Sequence, residues 1–197
     1  VRFIQDQTAN GETFSSTFLG IPRVNMQPMP NLIDAYLCAD GLPISESPLY
    51  NPAQRKQNRD PRLEASVYFQ GDIFLVHLNR PFGGNTATRF AQKKYIRNNI
   101  SDAGIGPDQP GGQDFYVIRY ADVLLMRVYP LLDQIRERAG MPTVTEVNGT
   151  NLSQEELIEV IKAERRVELA FEGLRFFDVK RWGEVEEAYA RIAADPV

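Results

Sequence analysis

Between Ser153 and Glu172 the apolar side chains recur with the spacing of an α-helix, and two carboxylates sit inside the apolar stripe. At about 100° per residue, Leu157, Val160, Ile161, Ala163, Val167 and Phe171 gather into one arc, and Glu164 and Glu168 fall within it. Like charges one turn apart repel by roughly a few tenths of a kcal/mol on an isolated helix. Buried without partners they would cost far more. A fold that buries this stripe must therefore bring cations to it. The nearby candidates are Arg165 and Arg166 on the helix, Arg175 and Arg181 after Gly173, and Arg119 and Arg136 from the preceding helical stretch. Two readings fit the spacing equally. One is a buried Arg–Glu network between packed helices. The other is a glycosidase pair, one carboxyl protonating a leaving oxygen while the other attacks or activates water.

The surrounding sequence supplies the frame for that helix. Ser153 with Glu156 three residues on is a capping box, which fixes the start, and Gly173 is expected to end the helix as a left-handed cap. Phe176, Phe177, Val179 and Trp182 then form a second apolar cluster ending at Gly183. Trp182 reads either as a core anchor or as a platform for a sugar ring. Upstream, Ile118 to Ala139 is also helical in spacing, but Pro130 inside it costs about 3 kcal/mol and must break or kink the helix. Asn31 is expected to cap a short helix through Leu37, stopped by the Asp40-Gly41 turn. Leu63, Ala65, Val67 and Phe69 alternate with polar residues, which predicts a strand, and Gly71-Asp72 sits where a hairpin would turn into a second strand, Ile73 to Leu78. His77 shares a face with Ile73 and Leu75 and reads as structural. Residues 1–30 and 79–114 are rich in Gly, Asn, Ser and Pro and read as long irregular segments. The division that follows is a loop-rich part with a small hairpin, 1–115, and a helical scaffold, 116–197.

Several function classes are disfavoured by composition. The net charge of -4 over 197 residues gives no positive field for collecting nucleic acid. With one cysteine, Cys38, and one histidine, His77, no internal disulfide and no ordinary zinc or iron ligand set can form, and no cofactor is expected. No stretch approaches the roughly 20 apolar residues that span a bilayer. Sequons at Asn99, Asn148 and Asn151 read as chance occurrences.

The segment from Glu164 to Gly183, ERRVELAFEGLRFFDVKRWG, resembles the SusD/RagB family. So do IRYADVLLM from Ile118, IRERAG from Ile135, NRDPRL from Asn58, and the stretch from Pro30 to Gly41, all in the family's order. The resemblance implies a mainly helical fold containing tetratricopeptide-like (TPR) helix pairs, with long loops. It implies an outer-membrane lipoprotein, surface exposed, that takes part in nutrient uptake and polysaccharide utilisation. Such a protein binds oligo- or polysaccharide, sometimes peptide, and passes it to a SusC-like TonB-dependent transporter without breaking a bond. Family members are much longer, so the chain is expected to be the C-terminal part, the lipid anchor belonging to an N-terminal half. A segment is also expected to be missing after Met126, where Arg127 leads at once into Val128-Tyr129-Pro130.

Sugar sites combine aromatic faces with amide, carboxylate and guanidinium groups on loops. By that rule the candidate ligand contacts are Phe14, Phe18 and Arg23, Tyr50 beside Asn51, and Phe82 with Arg80 and Asn85. Each aromatic could equally pin its loop to the core. A glycoside hydrolase using Glu164 and Glu168 and a helical-repeat adaptor for another protein are the competing readings. Enclosure of the two glutamates by arginines separates the first of these from a binding protein.

Overall fold

The computed structural model describes residues 27–75, 79–84, 86–94, 118–126 and 130–195. Contacts divide the chain into two units, one of Pro30–Ala65 with Val117–Pro196, the other of Val1–Met29 and Ser66–Tyr116 with Val197. Among the described residues the chain is mainly helical, as expected, with only four short strands.

The first unit holds the scaffold: α1 (Pro30–Ala35), a 3-10 turn (Pro52–Gln54), α2 (Pro61–Ser66, whose last residue falls in the other unit), α3 (Tyr120–Leu125), α4 (Pro130–Arg138), α5 (Val144–Asn148), α6 (Gln154–Glu168), α7 (Arg175–Trp182) and α8 (Val185–Ala193). Pro130 does break the helical stretch, and it opens α4, a position where the missing N–H is no loss. The capping box at Ser153 forms as its sequence predicts. A second one, Thr143 with Glu146, starts α5. Leu124, Leu125, Leu132, Ile135, Val144 and Leu169 form the core of this unit, with Leu157, Val160 and Ile161 of α6 packed on its margin. Asp133 ties α4 to α5 by accepting from the Val144 amide (2.8 Å) and the Thr145 hydroxyl (3.1 Å). Gly41 has φ +81°, and a Cβ there would meet Val147 Cγ2 at 2.5 Å, so both conformation and space demand glycine.

Helix α1 lies against α6, where the buried Tyr36 hydroxyl donates to the Val167 carbonyl at 3.4 Å. The end of α1 is closed by Arg59. Its guanidinium donates to the carbonyls of Ile33 (2.8 Å) and Tyr36 (2.7 Å), groups that a helix C-terminus leaves without partners, and to the carbonyl of Arg55 (2.9 Å) just after the 3-10 turn.

The second unit contains two antiparallel pairs: β1 (Val67–Tyr68) with β4 (Ala91–Gln92), and β2 (Ile73–Leu75) with β3 (Arg80–Pro81). Phe69 and Phe90 meet edge to face at 5.2 Å beside the first pair. A small hairpin exists, yet not where alternation placed it. Leu63 to Ser66 is helical, and β1 pairs with β4, not with the strand that follows it. Asp60-Pro61 explains the difference: proline opens α2, and the Asp60 carboxylate accepts the Arg62 amide at 2.9 Å in the manner of a helix cap.

Four further expectations are corrected. Asn31 lies inside α1 and does not cap it. Helix α6 ends at Glu168 with Leu169 as C-cap, before Gly173 is reached; the turn after it uses Phe171 at φ +65° as well as Gly173 at φ +74°. Ala163 is exposed. Phe176 and Phe177 are 58% and 65% exposed, so of that cluster only Val179 is buried, while Trp182 is half-buried. His77 lies outside the described residues.

Candidate functional site

The two acids in the stripe of α6 are enclosed by arginines. Glu164 is 1% exposed; its Oε1 accepts from Arg62 Nη1 at 2.5 Å and its Oε2 from Arg136 Nε at 3.0 Å. Glu168, 4% exposed, takes Arg62 (3.0 Å), Arg119 (2.6 Å) and Arg138 (2.6 Å). Arg119 goes on to grip Glu172 through Nε and Nη2, both at 2.7 Å. Arg62 also holds Asp60 at 2.6 Å. Among the described residues, four guanidinium groups, on Arg62, Arg119, Arg136 and Arg138, thus face the four carboxylates of Asp60, Glu164, Glu168 and Glu172.

Charge coupling inside the network is strong. Burial opposes the charge on Arg62, but hydrogen bonds to Asp60 and Glu164 and the charges of both acids hold its pKa well above the ordinary arginine value. Arg119 is raised in the same way against burial, by Glu172 and Glu168. For Glu168, burial is outweighed by the charge and hydrogen bond of Arg119 and then of Arg62, so its pKa lies below the usual carboxylate value. A glycosidase acid needs the opposite shift, a carboxyl that keeps its proton near neutral pH. Glu168 is a fixed anion. The Glu164–Glu168 pair is a brace between helices.

Beside it stands a second pairing. Arg165 donates to Asp178 through Nε (3.0 Å) and Nη2 (2.9 Å) and to Asp122 through Nη1 (2.7 Å), linking α6 to α7 and α3. Removing one partner of a buried ion pair costs about 3–5 kcal/mol, whereas replacing the whole set by apolar groups is often neutral. Such networks define how helices meet more than they add net stability.

Of the six arginines proposed as partners for the two glutamates, Arg119 and Arg136 are in place. Arg165 serves Asp122 and Asp178, Arg181 joins Asp178 at 2.8 Å, and Arg166 bonds Asn31. Arg175 makes no bond to either glutamate; its guanidinium lies over Trp182 at 5.6 Å. Arg62 and Arg138 take the places expected of these. Arg62 stands in the NRDPRL segment, where the Asp-Pro-Arg order is the available signal; Arg138 carries none.

The loop candidates are placed less completely. Phe14, Phe18, Arg23 and Asn85 lie outside the described residues. Arg80 pairs through its backbone in β3. Phe82 is 7% exposed, and its backbone closes the turn by accepting from Gly71 (2.8 Å) and donating to the Asp72 carbonyl (2.7 Å). Tyr50 is half-buried with the Arg59 guanidinium 5.4 Å from its ring centre. Asn51 beside it caps the 3-10 turn by accepting from Ala53 at 3.0 Å.

The described residues around α6 form a helical frame braced by arginine–carboxylate pairs. Comparison with known proteins names that frame. The SusD family model matches residues 3–196, and the chain belongs to the SusD family. Among solved structures, a SusD-like carbohydrate binding protein from Bacteroides fragilis is 28% identical, with a TM-score of 0.59 over 79% of this chain and 35% of its own. A SusD-like protein from the same species is 27% identical, with a TM-score of 0.60 over 80% of this chain and 36% of its own. A SusD superfamily protein from Bacteroides vulgatus, 24% identical with a TM-score of 0.60 over 84% of this chain and 35% of its own, shares the fold. The chain spans about a third of the length of these structures. No curated protein matches it.

Proposed function

We propose that the protein binds glycan nutrients at the cell surface without catalysis and hands them to a SusC-like TonB-dependent transporter. The similarity to a carbohydrate binding protein over 79% of the chain carries this reading. The enclosure of both glutamates by arginines supports it, with Glu168 held below the usual carboxylate value, the reverse of what a general acid needs. A lipid anchor on the outer membrane accompanies the transporter role, and Tyr50 is the described loop aromatic we assign to ligand contact. Calorimetry of the purified full-length protein against a panel of oligosaccharides tests the binding, and a reducing-end assay on the same mixtures tests the absence of cleavage. Saturable heat with no new reducing ends is the expected result. Release of reducing ends that Glu164→Gln abolishes would return the pair to catalysis. Co-purification of a TonB-dependent transporter from detergent-solubilised outer membrane, lost when the protein is deleted, tests the hand-over.

A further inference from the structure

The loop that carries Tyr50 is pinned on both sides of the ring. Asp40 accepts from the Ser47 hydroxyl at 2.6 Å, and the hydroxyl oxygen accepts in turn from the Leu49 amide at 3.2 Å. Asn58, left-handed at φ +54°, donates through its side chain to the Leu49 carbonyl at 3.2 Å. Asn51 caps the 3-10 turn that follows. A surface loop tied down in this way holds its aromatic residue in place before any ligand arrives, and the ordering cost of binding there is low.

Planar polar groups surround the ring. The Arg59 guanidinium lies over it at 5.4 Å and is itself fixed by the carbonyls of Ile33, Tyr36 and Arg55. Arg55 hydrogen-bonds the Tyr50 side chain and takes Asp34 Oδ1 at 2.5 Å. The Arg55 and Asp34 side chains stay 32% and 39% exposed, so water-facing atoms of the pair are within reach of a ligand. Asn51 is exposed, and its Nδ2 meets Gln54 Oε1 only at 3.5 Å, which leaves that donor weakly engaged.

The exposed charges of this patch cancel. Arg55 is paired with Asp34, and Lys56 with Glu64 at 2.9 Å. Arg59 is buried and turns its donors to backbone carbonyls.

We propose that Tyr50, Asp34, Arg55 and Asn51 form a subsite for an uncharged pyranose. The apolar face of the sugar lies on the Tyr50 ring opposite Arg59, and its hydroxyls bond Asp34, Arg55 and Asn51. The proposal rests on the glycan reading given above and narrows it to a class of sugar. An acidic sugar would find its would-be cations already paired, and its carboxylate would meet that of Asp34.

Calorimetry of the purified full-length protein is run with cellohexaose, xylohexaose, mannohexaose and maltohexaose, and with hexagalacturonate as the acidic probe. A neutral hexasaccharide is expected to bind saturably and hexagalacturonate is not. For the neutral probe that binds, Tyr50→Ala and Asp34→Ala should each weaken affinity about tenfold. Tyr50→Phe, which keeps the ring and loses the hydroxyl, should stay within about threefold of the parent. Thermal melts verify that each variant is folded. Affinity kept in full by a folded Tyr50→Ala or Asp34→Ala overturns the subsite while the glycan reading stands, and so does a loss in Tyr50→Phe as large as in Tyr50→Ala. Tighter binding of hexagalacturonate than of every neutral probe overturns the assignment to uncharged sugars. No saturable heat with any of the probes overturns the glycan reading and the subsite with it.

Discussion

Arg165 and Arg166 are neighbours on one helix and meet opposite surroundings. Arg165 sits between Asp122 and Asp178 and locks α6 to α3 and α7. Arg166 faces the neutral atoms of Asn31 and is crowded electrostatically by Arg175 and Arg191. Turning by about 100° along the helix separates a region where every buried charge is answered from one where charge is left in surplus. The first region defines how helices pack. The second ties Arg166 to the neutral groups of Asn31.

The largest expected effect comes from unbalancing the answered side. Glu164→Gln leaves Arg62 and Arg136 facing a neutral amide, and the protein should lose about 3–5 kcal/mol of stability, read from the urea midpoint. A loss below about 1 kcal/mol would show that the network does not brace the helices. Acid tests the same region without mutation. Because the pKa of Glu168 is lower folded than unfolded, its contribution is complete above the unfolded value of about 4.3 and disappears as pH falls through the folded value. Melting temperature should therefore fall below about pH 4, and Glu168→Gln should flatten that part of the profile.

Next in size is the direct contrast. Arg165→Met strands the buried Asp122 and leaves Asp178 with Arg181 alone, and should cost about 3 kcal/mol or more, whereas Arg166→Met gives up hydrogen bonds to Asn31 but relieves repulsion and should cost about 1 kcal/mol. Equal losses for the two in denaturant melts would erase the distinction. Ser153→Ala, which removes the cap of the helix carrying both arginines, should cost about 1 kcal/mol. It sets the scale for a purely local defect. The smallest effect belongs to the exposed Arg191, whose change Arg191→Ala is expected to leave stability within about 0.5 kcal/mol of the parent in either direction.

Part of this architecture is legible in the sequence. The capping box at Ser153, the break at Pro130 and the need of Glu164 and Glu168 for guanidinium partners all follow from residues within a few positions of one another. The Thr143–Glu146 box carries the same signature and is equally local. Other features fail because a local pattern is ambiguous. Alternation from Leu63 to Phe69 fits a strand, yet Asp60-Pro61 starts a helix there, and only Val67 and Tyr68 are extended. The run Phe176-Phe177 reads as core, but α7 turns Asp178 and Val179 inward and leaves both rings outside.

By itself, then, the sequence determined that α6 forms, where it begins, that its acids require cations, and which family the chain belongs to. Only the tertiary structure decided which cations answer. Arg62 lies 102 residues from Glu164, and Arg166, adjacent in sequence to a paired arginine, has no carboxylate partner among the described residues. Helical periodicity is a property of neighbouring residues and can be counted along the chain. Charge compensation depends on which distant side chains the fold brings within a few ångströms, and that distance is not written at any single position.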